Sequence, residues 1–360
     1  MTQTDTAAPP EPVDWDLAER VARRFAGREP IAASYLGESL HSDFSAVTTR
    51  AEQLVGDFTG LHAPGTASAC VLDRPQWVHA NVASMRRMLH PLTARVAERV
   101  ARSPVAPIGR RVAGTEMGVL LGFMAQRVLG QYDLLVPDDP DASSAPAGTG
   151  AVYYVGANIL ALEKRYAFRP HDFRLWIAIH EVTHRAQFTA IPWLKEYFLS
   201  LVEQALAIVD PDPGRLVQAM MRAADELRKG HNPLDDGGLV ALFASSEQRG
   251  VLARVQALMS LLEGHGNSVM NELGRAHIAG QERMARVLQA RRRSRGVAGI
   301  LYKLLGFESK LRQYEVGEAF VAEVVRVGGS RAIDAAWRGP ESLPTMDELA
   351  RPTDWLARVA

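Results

Sequence analysis

Apolar residues recur at three- and four-residue intervals along most of the chain: Trp15 to Phe25, Trp77 to Ala101, Met117 to Leu129, Phe173 to Thr189, Trp193 to Ile208, and further stretches up to Val327. Residues at that spacing share one face of a helix, so the pattern predicts a mainly α fold. One segment departs from it. Ala151 to Val155 is rich in β-formers and follows residues 138 to 150, whose Asp, Pro, Ser and Gly content marks a surface loop; the segment is predicted as a small β element.

The helix predicted over Phe173 to Thr189 carries the chain's most specific chemistry, Ile177-Ala178-Ile179-His180-Glu181-Val182-Thr183-His184-Arg185. Pro170 and Asp172 mark its start. Residues four apart lie on one helical face, so His180 and His184 aim two imidazoles at one point, as a metal ion requires. Glu181, one position on, can reach a water at the same point and move its proton. The competing reading is a pair of core histidines with ordinary hydrogen-bond partners. Chance alone places H-E-x-x-H in roughly one chain of this length in a hundred. Two histidines and a glutamate inside so apolar a segment are also costly without a compensating partner, and a bound Zn²⁺ is the most economical one.

Catalytic zinc sites use three protein ligands and leave a position open. The best third ligand lies in Leu261-Leu262-Glu263-Gly264-His265-Gly266-Asn267, where Glu263 interrupts the apolar helical series Leu252, Val255, Leu258, Met259, Leu262. Gly264 beside it lets a backbone or substrate approach closely, and Asn267, four residues on, can hydrogen-bond a ligand. His265 is the alternative ligand, followed by His277 and Glu272; Glu263 also reads as a solvated helix residue.

The H-E-V-T-H run at 180 to 184, followed at a distance by the E-G pair at 263 and 264, resembles the glutamate-type zincins, metallopeptidases whose third zinc ligand is a downstream glutamate. The correspondence is His180, Glu181, His184 and Glu263. Val152 to Ile159, Pro192-Trp193-Leu194 and Gln313-Tyr314 extend the likeness, over most of residues 75 to 357, to a zincin-like family of actinobacteria. Its members are labelled as hydrolases or as associated with deazaflavin-coenzyme biosynthesis. The resemblance implies a zincin-like metallopeptidase fold with helical additions, Zn²⁺ as cofactor, and a peptide or protein substrate. It also implies Glu181 as general base and then acid. His184 and Glu263 are 79 positions apart (263 − 184), longer than usual in such enzymes, which implies an inserted helical segment folded away from the site. In zincins the strand before the metal helix offers its edge to an extended peptide, and Val152 to Gly156 holds that place; a small core strand is the equal alternative. Tyr314 is a candidate donor to a developing oxyanion, or else a core tyrosine with a bonded hydroxyl.

Bulk properties narrow the setting. Forty-one basic and forty-one acidic residues cancel, and the one basic run, Arg291 to Gly296, reads as a solvated helix end, so nucleic acid is not an expected partner. No apolar span approaches the ~20 residues of a membrane helix. Residues 1 to 13 are polar and Pro-rich and read as a disordered tail, not a secretory signal. A lone Cys70 excludes an internal disulfide and suits a cytoplasmic protein, with the thiol a small buried hydrophobe. Residues 14 to 360 are expected to form one zincin-like domain, a helical part at about 14 to 135 packing on a metal-site part at about 150 to 360. No phosphate-binding loop, dinucleotide fingerprint or nucleophile elbow is present. The expected function is zinc-dependent amide hydrolysis by a metallopeptidase. Hydrolysis of a small-molecule amide on the same site, and a non-catalytic binding scaffold, are the alternatives.

Overall fold

The computed structural model describes residues 11–27, 36–101, 106–134, 151–207, 246–293 and 308–360. The predicted tail up to residue 10, the whole loop at 138 to 150, and the end of the basic run lie outside them. The chain divides into two compact units, Met1–Ala46 with Ala67–Ala167, and Val47–Thr66 with Phe168–Ala360.

The first unit holds α1 (Trp15–Ala26), the start of α2 (Leu36–Thr59), α3 (Arg74–Ala101), α4 (Ala106–Ala125), α5 (Gly156–Tyr166) and a three-stranded sheet. Asp14 caps α1 by accepting a 2.9 Å hydrogen bond from the Leu17 N–H. Trp15, Ala18, Ala22 and Ala26 form the buried face of α1. That face meets Gly114, Gly118 and Gly122 of α4, where any Cβ would press on the carbonyl oxygens of Asp14, Ala18 and Ala22. Two helix backbones thus touch, as small residues at four-residue spacing permit. α4 begins earlier and ends earlier than the apolar spacing over Met117 to Leu129 suggests. The buried Asn158 amide donates to the carbonyls of Ala125 and Val128 at 2.8 and 2.7 Å, catching the end of the helix where no local breaker stands.

The sheet order is β1 (Ser68–Leu72), β3 (Ala151–Val155), β2 (Gly130–Asp133). β1 runs parallel to β3 and β2 antiparallel to it. The predicted strand is therefore the central one. Both its edges are paired, which removes the expectation that it offers an edge to a peptide; it is the small core strand of the alternative reading. β1 and β2 carry no sequence signal strong enough to predict them, because four- and five-residue strands gain their stability only from the partner. Cys70 sits half-buried on β1, its Sγ 3.8 Å from the Ser68 hydroxyl.

The second unit contains the end of α2, then α6 (Pro170–Ala190), α7 (Leu194–Ala207), α8 (Ser246–His277), α9 (Gln281–Arg293) and α10 (Glu308–Gly328). Two 3₁₀ turns (Ala332–Trp337 and Pro340–Ser342) and the short helices α11 (Met346–Ala350) and α12 (Pro352–Val359) close it. Pro170 occupies the first turn of α6 with Asp172, as the sequence predicts. Every residue from Phe173 to Gln187 is buried except His180 and His184, so α6 is covered all round but for the face that carries the two histidines. Its Arg185 is fully buried and is held by the Glu52 carboxylate and the Pro64 carbonyl.

α8 is the other organising element. Ala257 and Leu261 pack with Phe320, Val321, Val324 and Trp355, whereas Leu258 and Leu262 pack with Ile191, Leu194 and Leu201. Successive positions turn by about 100°, so with 261 and 262 committed to these two clusters, Glu263 faces a third direction, toward α6. At Gly264 the helix touches Gly317 of α10 backbone to backbone, and a Cβ on Gly317 would collide with the Ser260 carbonyl. Trp193, just after α6, donates from Nε1 to the Trp337 carbonyl at 3.0 Å. No helix among the described residues is long and apolar enough to cross a membrane.

The two glycines of α8 give a signed test. A Cβ on Gly250 meets nothing within 4 Å, whereas one on Gly264 runs into Gly317 backbone. Gly250→Ala should stabilise the protein by about 1 kcal/mol through helix propensity. Gly264→Ala should destabilise it by about 2 kcal/mol through overpacking. Urea unfolding of the two variants measures both signs.

Candidate metal centre

α6 places His180 and His184 one turn apart, their rings nearly perpendicular at 84° with centroids 4.6 Å apart. The two Nε2 atoms are 3.2 Å from each other. α8 brings Glu263 to them, its Oε2 3.7 Å from both Nε2 atoms. Among the described residues these three form the one group of histidine, cysteine or carboxylate side chains whose ligand atoms all converge closely enough to hold a metal ion. A triangle with these sides has a point about 2.1 Å from each corner, which is the Zn–N and Zn–O bonding distance. The donor set, two imidazoles and a carboxylate, is also that of known catalytic zinc sites, so the residues fit the ion. His180, His184 and Glu263 side chains are 16%, 15% and 20% exposed, so the cluster is not sealed.

Gly266 explains how α8 comes so close. A Cβ there would stand 3.2 Å from Cε1 of His184 and 3.4 Å from Cε1 of His180, tighter than ordinary contact. Glycine leaves both rings their room. Glu181 follows His180 on α6 and is buried. Its charge is felt at His184.

The histidines differ sharply in electrostatics. Burial pushes the His184 imidazolium down, but the hydrogen bond and charge of Glu263, then the charge of Glu181 and the hydrogen bond to Gln187, outweigh it and raise the pKa to about 9. His265 is pushed down to about 4, first by burial and then by the charge of His184. His265 does not join the converging group. Its Nδ1 accepts from the Gln187 amide at 2.9 Å, and its ring meets Trp337 edge to face at 5.3 Å. Glu272 is exposed and paired with Arg275.

Asn267 departs from expectation. It is fully buried, and neither its amide nitrogen nor its oxygen has a hydrogen-bond partner among the described residues. Gln187 takes the role expected of it, with Oε1 2.9 Å from the His184 Nδ1. The sequence signal was there, since Gln187 lies three residues past His184 on a helix otherwise buried, and such spacing shares a face. Gly266 was legible as the second glycine of E-G-H-G. Tyr314 falls in the range of α10, but its side chain lies outside the described residues.

Comparison with known proteins extends this picture. No protein of curated function matches the chain. A crystal structure from Chloroflexus aurantiacus, described as a proposed hydrolase with a novel fold, superposes with a TM-score of 0.68 at 31% identity, covering 96% of this chain and 98% of that one. The sequence profile described as zincin-like metallopeptidase matches residues 13–356. With nearly its whole length matched, two helical histidines and a distant glutamate converging on one point, this chain belongs to the zincin-like metallopeptidase family.

Proposed function

We propose that this protein is a zinc-dependent amide hydrolase in which His180, His184 and Glu263 hold the ion and Glu181 is the general base and then the general acid. The observation that carries this reading is the 3.2 to 3.7 Å convergence of the three ligand atoms, with Glu181 on the same helix. When bound, zinc supplies Lewis acidity, lowering the pKa of a water ligand from ~15.7 toward ~7 and polarising a carbonyl. Glu181 accepts the proton of the attacking water and returns it to the departing amine. Glu181 is buried on the same helix as the two histidines, one position after His180. Tyr314 is our candidate for a hydroxyl that donates to the developing oxyanion.

A metallopeptidase acting on peptide or protein is the first reading, supported by the family. Hydrolysis of a small-molecule amide on the same three side chains is the second reading, and one experiment separates the two. The discriminating experiment incubates wild type and Glu181→Gln with peptide libraries and with small-molecule amides, reading new termini and released amines by mass spectrometry. Glu181→Gln should keep its zinc and its fold and lose hydrolysis, because an amide cannot accept the water's proton. New peptide termini from wild type alone establish the peptidase; released amines alone establish the small-molecule reading. Equal products from both proteins remove Glu181 from the mechanism, and no turnover of any substrate leaves the scaffold reading.

The metal assignment has its own test. Purified protein should carry about one zinc per chain, with His180→Ala/His184→Ala carrying none, by elemental analysis. Glu263→Ala should weaken zinc binding strongly and His265→Ala much less, since only the first removes a converging atom.

Zinc binding should also depend on pH with a defined sign. Zinc needs the bare His184 Nε2, and the pKa of about 9 means a proton occupies this histidine at neutral pH. Binding must expel it. Affinity should therefore fall about tenfold per pH unit below about 9 from this group alone and flatten above it. Calorimetry at pH 7 in buffers of different ionisation enthalpy should find about one proton released per zinc bound.

A further inference from the structure

Gln187 is fully buried on α6 and uses both ends of its amide. Oε1 stands 2.9 Å from the His184 Nδ1, while Nε2 stands 3.2 Å from the Leu262 carbonyl oxygen and 2.9 Å from the His265 Nδ1. The carbonyl decides the direction of the whole chain of bonds. A backbone oxygen only accepts, so the nitrogen end of the amide must face Leu262, and the reverse orientation would bury two acceptors against each other. Two consequences are forced. The amide oxygen facing His184 requires a hydrogen on Nδ1, which leaves Nε2 as the metal-binding nitrogen. The second amide hydrogen requires a bare Nδ1 on His265, so that ring is neutral with its hydrogen on Nε2.

We propose that Gln187 is a positioning residue for the metal centre, setting the tautomer and ring orientation of His184 under the direction of the Leu262 carbonyl and His265. This rests on the metal reading given above. The stretch Leu262 to Gly266 then divides its labour: Leu262 fixes the direction, Glu263 supplies a ligand atom, His265 takes the second amide hydrogen, and Gly266 clears space for both imidazoles. His265 itself packs edge to face with Trp337, whose carbonyl accepts from Trp193, so the relay is tied into the packed core. A carboxylate in place of Gln187 could still accept from His184, but it would set an anion against the Leu262 carbonyl and leave His265 without a donor. An amide is the side chain that serves all three partners.

The test combines zinc titration with nitrogen NMR of protein labelled in its histidine rings. Wild type, with or without zinc, should have a hydrogen on the His184 Nδ1 that exchanges slowly with solvent, and a bare Nδ1 on His265. Gln187→Met, of similar length but without donor or acceptor, should fold by circular dichroism. It should lose the slow exchange at His184 and bind zinc roughly 10- to 100-fold more weakly. A bare Nδ1 on His184 in wild type, or zinc affinity in Gln187→Met within threefold of wild type, overturns the proposal. The tautomers of wild type decide the matter even where Gln187→Met does not fold. Failure of the metal reading looks different: wild type then binds zinc no better than His180→Ala/His184→Ala, whatever the tautomers are.

Discussion

The approach of α8 to α6 is the constraint on which the rest of the second unit depends. A carboxylate from one helix meets two imidazoles from the other at 3.7 Å, inside a region where an unsatisfied charge is costly. Gly266 removes the Cβ that would press on both rings, and Gly264 on another side of α8 lets it rest directly against Gly317 of α10. The helix is thus fixed by backbone contact on one side and by its polar cluster on another. Leu258 and Leu262 fill a third direction with apolar packing.

The same close packing makes the site's electrostatics sharp. Low polarity strengthens every interaction in it, so Glu263 and Glu181 lift His184 to about 9 while burial and the charge of His184 hold His265 near 4. Two histidines linked through one glutamine amide are thereby driven to opposite protonation behaviour. That separation suits the proposed centre, in which one would exchange a proton for a metal ion and the other would stay a neutral acceptor. The three converging side chains are also partly exposed, as the proposed hydrolytic role requires.

Other buried polar residues show that this chain repeatedly ties segments together with single amides and guanidinium groups. Asn158 holds the end of α4 in the first unit, and Arg185 ties α6 to Glu52 and Pro64 in the second. Each of these residues is polar and buried within a helix. Glu263 interrupts an apolar helical series, and only its partners distinguish a candidate ligand from a clamp. A buried polar residue announces that something satisfies it, but not what.

The sequence by itself determined the mainly helical class, the start of α6 at Pro170, and the shared aim of His180 and His184. All of these are local: helix geometry converts a spacing of three or four residues directly into a direction in space. It also singled out Glu263, because a carboxylate in an apolar series is visible without any partner. Tertiary structure decided whatever depends on residues far apart in the chain. The meeting of Glu263 with histidines 79 or more positions away, the contact of Gly264 with Gly317, and the bonds from Gln187 to Leu262 and His265 are of this kind. So are the short strands β1 and β2, which exist through pairing with β3, and the central position of β3 that closes its edges. Periodicity fixes which face a residue occupies, whereas the identity of the neighbour on that face is set only when the whole chain has packed.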